Sequence, residues 1–207
     1  YNSLDYELQK EYFENYQKNN VKKEFDFFKN SKLKTILFLG RLTSVKKINL
    51  LIKSLNKLNS IRVNYNLLII GEGPQKSLLK KMSKEGLEKG WIYFYGETYN
   101  ESELSELIYS SDLMVSPGNT GLNSVHALSY GTPVGTHNNF DKQMPEAAVI
   151  EDQKTGFFFK ENDTTDLSLN IELWFSKSDI SLTRAERRSI IDKKYNLSEL
   201  VKGDSLF

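Results

Sequence analysis

The sequence predicts a Rossmann-like, doubly wound α/β fold in which a parallel sheet of about six strands is flanked by helices on both faces. Short continuous apolar runs recur along the chain, and such runs are typical of strands buried on both faces of a parallel sheet. Amphipathic helical segments separate these runs. This regular alternation of strand and helix indicates right-handed crossovers between parallel strands.

Six runs are predicted as strands because each is apolar, short and bounded by turn residues. They cover residues 35–39, 67–70, 92–95, 112–116, 133–136 and 157–159. Glycine follows each of the first three runs, at Gly40, Gly71 and Gly96, and Pro117 with Gly118 breaks the fourth. These turn residues therefore mark the carboxyl ends of the first four strands.

The predicted helices follow the strands and carry apolar residues at helical spacing. They cover residues 46–58, 74–88, 101–110 and 122–130. Pro74 suits the first turn of the second of these helices. Two more amphipathic helices are expected in the tail, one beginning near Thr165 and one opened by Thr183 and Glu186, which fit a capping box.

Three segments organise the chain. Residues 1–31 are polar and charged with scattered aromatic residues, and we interpret them as a connector with helical stretches that packs on something else. Residues 32–163 form the predicted Rossmann-like domain, and residues 164–207 are C-terminal helices that pack on it. The chain begins at Tyr1 rather than at a methionine, which predicts further residues upstream.

Composition narrows the function classes. Hydrophobic residues make up 39% and charged residues 27%, which is typical of a globular protein, and the net charge of +1 provides no global field for nucleic acid or an anionic membrane. The absence of cysteine excludes disulfides, thiolate metal sites and thiol nucleophiles, and it fits a reducing compartment. The apolar runs are too short to span a bilayer. No catalytic triad, zinc spacing or P-loop pattern is present.

Ligands of doubly wound sheets bind beyond the carboxyl ends of the strands, so the residues that follow each strand are the candidates. Arg41 follows the first strand and Lys46 lies at the predicted start of the next helix. An arginine fork and a lysine point charge directed at one place suit a diphosphate. Lys47 is interpreted as a solvated surface residue.

Two further loops carry weaker signals. Gly71 and Gly73 allow the backbone to approach either a neighbouring segment or a ligand, and both interpretations remain open. Tyr95, Gly96 and Glu97 lie at the end of the third strand, where they could stack on and hydrogen-bond to a flat base. The alternative for Tyr95 is a place in the core.

The most informative segment is residues 116–123, a loop of small residues that leads directly into a helix. Free amides and the positive end of the helix dipole make such a helix start an anion-binding site. The dipole contributes only about 0.3–1 kcal/mol, so it requires cationic partners such as Arg41 and Lys46. His126 lies about one turn into this helix, either lining a pocket or packed in the core.

In this order and spacing, these residues resemble the C-terminal domain of retaining glycosyltransferases of family 4 (glycosyl transferases group 1, GT-B fold). The resemblance runs from about Thr35 to Asp163. The pieces that carry it are residues 40–42 with Lys46, 50–52, 70–74, 94–96, 111–113, 121–122, 127–128, 131–134, 145–146 and 155–156.

The resemblance implies a role for each matching residue. The implied diphosphate ligands are Arg41, Lys46, Thr120, Gly121, Leu122 and Asn123. The implied base and ribose contacts are Gly71, Gly73, Tyr95, Gly96 and His126. The implied sugar contacts are Gly118 and Asn119. Arg41, Lys46 and His126 are the candidate contributors to catalysis, and no metal or other cofactor is expected.

One departure from the family pattern concerns the sugar and the ribose. The family usually carries a Glu-x7-Glu pair around this helix, whose first glutamate contacts the donor sugar and whose second contacts the ribose. Gly118 and His126 stand at these two positions. Some branches of the family from bacterial surface-polysaccharide clusters resemble this chain in having a histidine here and a stretch like Gln143 to Glu146, so the change does not imply inactivity.

The resemblance implies a hexosyl-type transferase that moves a sugar, with retention, from a nucleotide diphosphate sugar to a glycan or lipid-linked acceptor in bacterial polysaccharide or capsule biosynthesis. Asn2 to Asp5 resemble the end of an interdomain linker, so an N-terminal acceptor-binding domain is expected to be missing and the isolated chain to be inactive. The expected location is the cytoplasm, with peripheral association at the inner face of the membrane through the missing domain. Two alternatives remain: a non-catalytic nucleotide-sugar-binding module or subunit, and, ranked lower, a nucleotide-sugar epimerase.

Overall fold

A computed structural model describes residues 5–21, 23–176 and 182–195. These residues contain a six-stranded, all-parallel sheet with the strand order β3-β2-β1-β4-β5-β6. The strands are β1 (Lys34–Leu39), β2 (Tyr65–Ile70), β3 (Ile92–Gly96), β4 (Leu113–Ser116), β5 (Val134–His137) and β6 (Gly156–Phe159). The predicted doubly wound fold is confirmed. The strand order reverses between β1 and β4, which is where such sheets open a crevice for ligands.

Helices cover both faces of the sheet. They are α1 (Tyr6–Lys18), α2 (Ile48–Leu58), α3 (Lys76–Met82), α4 (Lys84–Glu88), α5 (Glu101–Ser110), α6 (Leu122–Ser129), α7 (Thr164–Ser176) and α8 (Arg184–Tyr195). The predicted capping box opens α8: the Thr183 hydroxyl accepts from the Glu186 amide at 3.2 Å, and the Glu186 carboxylate accepts from the Thr183 amide at 2.6 Å. That prediction is confirmed.

Two predicted helices have different bounds in the structure. The helix expected over residues 46–58 begins at Ile48, because Ser44–Lys46 form a separate 3₁₀ turn and Lys47 takes a left-handed conformation with φ of 50°. The helix expected over residues 74–88 starts at Lys76 and is interrupted at Ser83, giving α3 and α4. Pro74 therefore lies in the turn before the helix, not in its first turn.

The core has two halves, one on each face of the sheet. Along β1, Ile36 and Phe38 face α2 and α7, whereas Leu37 faces α5 and α6, and all three side chains are fully buried. Burial on both faces explains why the strands are continuously apolar. The sheet is thus a rigid frame that fixes the loops at its carboxyl edge.

The connector predicted at the start of the chain packs on the domain itself where it forms α1. Phe13 and Tyr16 are buried in the core half beneath α5 and α6. The Tyr16 hydroxyl lies 2.8 Å from the Ser105 hydroxyl, and Gln17 donates to the Tyr109 hydroxyl at 2.9 Å. Of the linker-like residues 2–5, only Asp5 lies within the described residues, where it caps the N-terminus of α1.

Three arginines attach α8 to the domain. Arg184 donates to the Ser111 carbonyl at 2.6 Å, Arg187 donates to the Gly131 carbonyl at 2.7 Å, and Arg188 donates to the Ser129 carbonyl. These carbonyls lie at the carboxyl ends of α5 and α6, where a cation also stabilises the negative end of the helix dipole. The described part of the C-terminal segment therefore packs on the domain, as the sequence predicts.

Candidate functional site

Lys46 and the loop after β4 meet at the point where the strand order reverses. The Gly118 amide donates to the Lys46 carbonyl at 3.0 Å. The Lys46 ammonium donates to the main-chain carbonyl of Asn119 at 2.9 Å and to its side-chain oxygen at 3.0 Å. The structure therefore brings Lys46 and the predicted anion-binding segment together across 73 positions of sequence.

The charge of Lys46 is not neutralised by the described residues. Its hydrogen-bond partners are both neutral oxygens of Asn119, and no described carboxylate forms an ion pair with it. Burial lowers the pKa of this lysine, since desolvation penalises the ammonium form. A partly buried ammonium without a counter-charge is suited to an anionic ligand.

Arg41 is the second cation of the site. It lies in the loop after β1, its side chain is exposed, and it lines the cavity described below. Within the described ranges, Arg41 makes no hydrogen bond and no ion pair. Its guanidinium is therefore free to bind an anion.

A cavity of about 500 Å³ opens at the carboxyl ends of β1, β2 and β3. Its lining includes the predicted residues Arg41, Gly71 and Gly73. This volume lies in the range of sites for small organic ligands and cofactors.

The glycines of this cavity are explained first by contact between loops. A Cβ atom on Gly71 would overlap the Gly40 carbonyl, and one on Gly73 would lie 2.5 Å from the Leu42 carbonyl oxygen. Gly71 also has φ of 138°, which disfavours any side chain. Backbone hydrogen bonds connect the three loops: Gly71 donates to Gly96 at 2.6 Å, and Leu42 donates to Glu72 at 2.8 Å. The sequence left open whether Gly71 and Gly73 approach a neighbouring segment or a ligand. In the structure both glycines lie against another loop, and these loops form the wall of the cavity.

Tyr95 packs among aromatic side chains, whereas residues 97–99 line the cavity. The Tyr95 hydroxyl donates to Glu103, and this hydrogen bond, together with partial burial, raises the pKa of Tyr95 to about 12. Its ring packs against Phe27 and Tyr93. The cavity is lined instead by Glu97, Thr98 and Tyr99.

Glu97 belongs to the segment predicted to meet a base, whereas the lining by Thr98 and Tyr99 was not predicted. Their position shortly after the third strand-ending glycine was the available signal. Gly96 itself lies beside the cavity, since a Cβ atom placed on it would be 3.7 Å from the carboxylate of the lining residue Glu72.

The four main-chain amides of residues 120–123, at the start of α6, were predicted to bind a diphosphate, and two of them are already hydrogen-bonded within the protein. The Thr120 amide donates to the Gln143 side-chain oxygen at 2.8 Å, and the Gly121 amide donates to the Asn123 side-chain oxygen at 2.9 Å. No described residue accepts a hydrogen bond from the amides of Leu122 and Asn123. These two amides are therefore the ones that remain available to an anion at the positive end of the helix.

Gly118 fits its position only because it lacks a side chain. A Cβ atom on Gly118 would overlap the Val45 carbonyl and lie 2.7 Å from the Lys46 Cα. The backbone of Gly118 thus touches the segment that carries Lys46. Asn119, the other implied sugar contact, uses its side-chain oxygen to bind Lys46.

His126 belongs to a buried hydrogen-bond network. Its Nε2 atom lies 2.9 Å from the Glu101 carboxylate, which also accepts from the Tyr130 hydroxyl at 2.5 Å. Burial opposes ionisation of Glu101, but the hydrogen bonds from His126 and Tyr130 outweigh it, so the pKa of this carboxyl lies below its ordinary value. His126 does not line the cavity, and with Nε2 engaged only Nδ1 would remain for a ribose hydroxyl.

Residues 5–21, 23–176 and 182–195 contain no group of three or more histidine, aspartate or glutamate side chains placed to hold a metal ion. No helix within them combines the length and the apolar character that crossing a bilayer requires.

The structure is thus an α/β domain with a doubly wound sheet, and two unneutralised cations and two available helix amides at its carboxyl edge are suited to an anionic ligand. Comparison with known proteins identifies the family. Residues 19–196 match the family described as Glycosyl transferases group 1. Because the match covers most of the chain, the chain belongs to this family.

Two curated relatives are similar over most of the chain. An uncharacterized glycosyltransferase of Haemophilus influenzae is 22% identical over 82% of this chain and 47% of its own length. Protein CapJ of Staphylococcus aureus is 26% identical over 89% of this chain and 43% of its own length. The chain thus spans less than half the length of these two relatives.

Solved structures of GT-B glycosyltransferases share the fold. HepE of Anabaena, whose crystal structure contains UDP and glucose, superposes with a TM-score of 0.69 at 17% identity, over 100% of this chain and 56% of that chain. At this identity the likeness establishes the architecture alone.

Proposed function

We propose that this chain is the C-terminal, donor-binding domain of a retaining, family 4 glycosyltransferase of the hexosyl type. The whole protein would transfer a sugar from a nucleotide diphosphate sugar to a glycan or lipid-linked acceptor in polysaccharide biosynthesis in the cytoplasm. The observation that carries this proposal is the contact between Lys46 and the loop that leads into α6, at the point where the strand order reverses. The cavity that Arg41 lines adjoins this point, because its lining residue Leu39 accepts a hydrogen bond from Asn123 of α6 at 3.0 Å. Family membership and the UDP and glucose of HepE support it.

The mechanism follows from where negative charge develops. When the bond between the sugar and the diphosphate breaks, the leaving diphosphate gains charge, and cations fixed beside it stabilise the transition state. Lys46 is held in place by Asn119, so it needs little reorganisation to act. The base would occupy the cavity at the ends of β1 to β3, with the diphosphate extending towards α6.

A thermal-shift screen of the chain against UDP, GDP and ADP tests the proposal, because a ligand that binds the native state raises its melting temperature. At least one of these diphosphates should stabilise the wild-type chain. Arg41→Ala should weaken that binding about 10- to 100-fold, the effect of losing a hydrogen bond to a charged group. Arg62→Ala is the matched control, since Arg62 is also exposed but lies outside the cavity. Equal stabilisation of both variants would contradict the diphosphate assignment.

A non-catalytic nucleotide-sugar-binding module is the second candidate. The observation in its favour is that Gly118 has no room for the glutamate usual in the family. The two candidates differ in turnover by the whole protein with its donor, which only the transferase shows. The isolated chain is expected to bind nucleotide without transferring sugar, and measurable turnover by it would contradict the assignment as a donor-binding half.

A further inference from the structure

Glu146 is a carboxylate that makes no use of its hydrogen-bonding capacity within the described structure. It lies in the 3₁₀ turn Pro145–Val149, which packs against α6, and its main-chain carbonyl accepts from the Ser124 hydroxyl at 3.3 Å. Its Oε2 atom is shielded from solvent and has no hydrogen-bond partner among the described residues. Such an atom is unfavourable unless donors reach it at some stage of function.

This carboxylate lies beside the start of α6. A Cβ atom placed on Gly121 would be 4.0 Å from Glu146 Oε2 and 3.8 Å from Met144 Cγ. Met144 is exposed, and its unbranched thioether side chain can move at low cost. Glu146 therefore lies next to the helix terminus assigned to the diphosphate, with the movable side chain of Met144 beside the same glycine.

The neighbouring acceptors around the same helix start are already engaged. The Gln143 side-chain oxygen accepts from Thr120, and the Asn123 side-chain oxygen accepts from Gly121. The Asn119 side-chain oxygen accepts from Lys46. Of these carboxamide and carboxylate side chains, Glu146 is the one to which no described residue donates.

Glu161, a second carboxylate at this edge of the sheet, differs from Glu146 because several side chains donate to it. Glu161 accepts from Lys47 at 2.6 Å and from Asn139 at 2.6 Å, and Lys142 lies 3.1 Å away. These donors hold the pKa of Glu161 at about 2. Glu161 is thus saturated by the protein, whereas Glu146 is not.

The sugar of a nucleotide diphosphate sugar is attached to the distal phosphate, so it must lie within a few ångströms of whatever holds that phosphate. Its exposed groups are hydroxyls, and a carboxylate, which only accepts, can bind two adjacent hydroxyls at once. Gly118 cannot supply an acid from the other side of the loop, because its backbone touches Val45 and Lys46.

We propose that Glu146 binds hydroxyl groups of the donor sugar and thereby determines specificity for a hexose that presents them. This inference rests on the proposed function, since it requires the diphosphate at α6. It assigns to Glu146 a contact with the sugar alone, and none with the base or the phosphates.

Calorimetric titration of the chain with UDP and GDP, and then with UDP-glucose, UDP-N-acetylglucosamine and GDP-mannose, tests the inference. Glu146→Gln should weaken binding of the accepted sugar nucleotide about 10- to 100-fold, as expected for hydrogen bonds to a charged group. Binding of the parent diphosphate should change less than about twofold. Glu146→Asp keeps the charge on a shorter side chain and should give an intermediate loss. Asp141→Asn is the control, because it removes the same charge from an exposed site in the same connecting segment.

The outcomes separate the inference from the proposed function. If Glu146→Gln binds sugar nucleotide and diphosphate as the wild type does, the inference is wrong and the proposed function stands. An equal loss of both ligands, or a fall in melting temperature without a selective loss, would assign Glu146 a structural role at the helix start and overturn the inference. If the wild type binds none of UDP, GDP and ADP and none of their sugars, the proposed function fails and the inference fails with it.

Discussion

The two halves of the sheet's carboxyl edge are built differently. After β1, β2 and β3, the loops are joined backbone to backbone through contacts such as those of Gly71 with Gly40 and Gly96. After β4 and β5, side-chain amides hold the loops, and Gln143 and Asn123 take up two of the four predicted phosphate-binding amides. The first half thus presents a preformed cavity. In the second half, a few side-chain hydrogen bonds position the loops, and a bound ligand or a mutation can replace these bonds.

The largest effect is expected in the first half of the edge, where the loops are joined backbone to backbone. Gly71→Ala should lower the free energy of unfolding by roughly 3 kcal/mol or more, because it combines backbone strain of about 1–3 kcal/mol with a steric overlap against the Gly40 carbonyl. Gly40→Ala is the matched control: its φ of 147° is similarly strained, but its new Cβ atom would lie 3.8 Å from a side-chain atom of Phe38, an ordinary contact distance. Urea denaturation of both variants measures the difference. Equal losses would show that overlap between the loops contributes nothing.

A smaller loss of stability is expected from a substitution in the second half of the edge, where side-chain amides hold the loops. Gln143 accepts from the Thr120 amide and donates to the Thr136 hydroxyl and the His137 carbonyl, each at 2.8–2.9 Å. Gln143→Leu should lower the free energy of unfolding by about 1–3 kcal/mol, since it leaves partly buried polar groups unsatisfied. It should weaken diphosphate binding as well, because the loop that presents Asn119 to Lys46 loses its attachment. Denaturation with calorimetry checks both effects, and unchanged nucleotide affinity would show that this loop needs no support from Gln143.

The smallest expected effect concerns pH and the half-buried cation. Because burial holds the pKa of Lys46 in the free protein below its ordinary 10.5, the ammonium form is less favourable than in water, and a bound anion favours it. Diphosphate affinity should therefore be highest at pH values below the lowered pKa and fall as pH rises through it. Titrations between about pH 7 and pH 10 should show this slope in the wild type and in Lys53→Met, an exposed-lysine control. A slope that persists unchanged in Lys46→Met would exclude Lys46 as its source.

Much of the frame could be predicted because its signals are local. Apolar runs ended by Gly40, Gly71 and Gly96 located three strands, and the residues at Thr183 and Glu186 located the start of α8. The starts of α2 and α3 and the break at Ser83 could not be predicted in the same way, since they depend on turn conformations that several residue types adopt.

The site was predictable in part for the same reason. Arg41 and Lys46 were found from their positions relative to a strand, and the structure places both at the ligand edge. Thr98 and Tyr99 line the cavity without a distinctive residue pattern, so they were missed. The engagement of the Thr120 amide by Gln143 spans 23 positions, and no spacing rule relates the two residues.

By itself, the sequence determined the doubly wound fold, the loops at its carboxyl edge and the positions of Arg41 and Lys46, because these follow from the periodicity of apolar residues and from turn residues beside each strand. Only the tertiary structure decided which polar groups in those loops are already hydrogen-bonded. The amides of Thr120 and Gly121 and the imidazole of His126 have partners, whereas no described residue donates to the Glu146 carboxylate. The physical reason is that hydrogen-bond satisfaction depends on atoms brought together by packing, whereas strand and helix formation depends on neighbours in the chain.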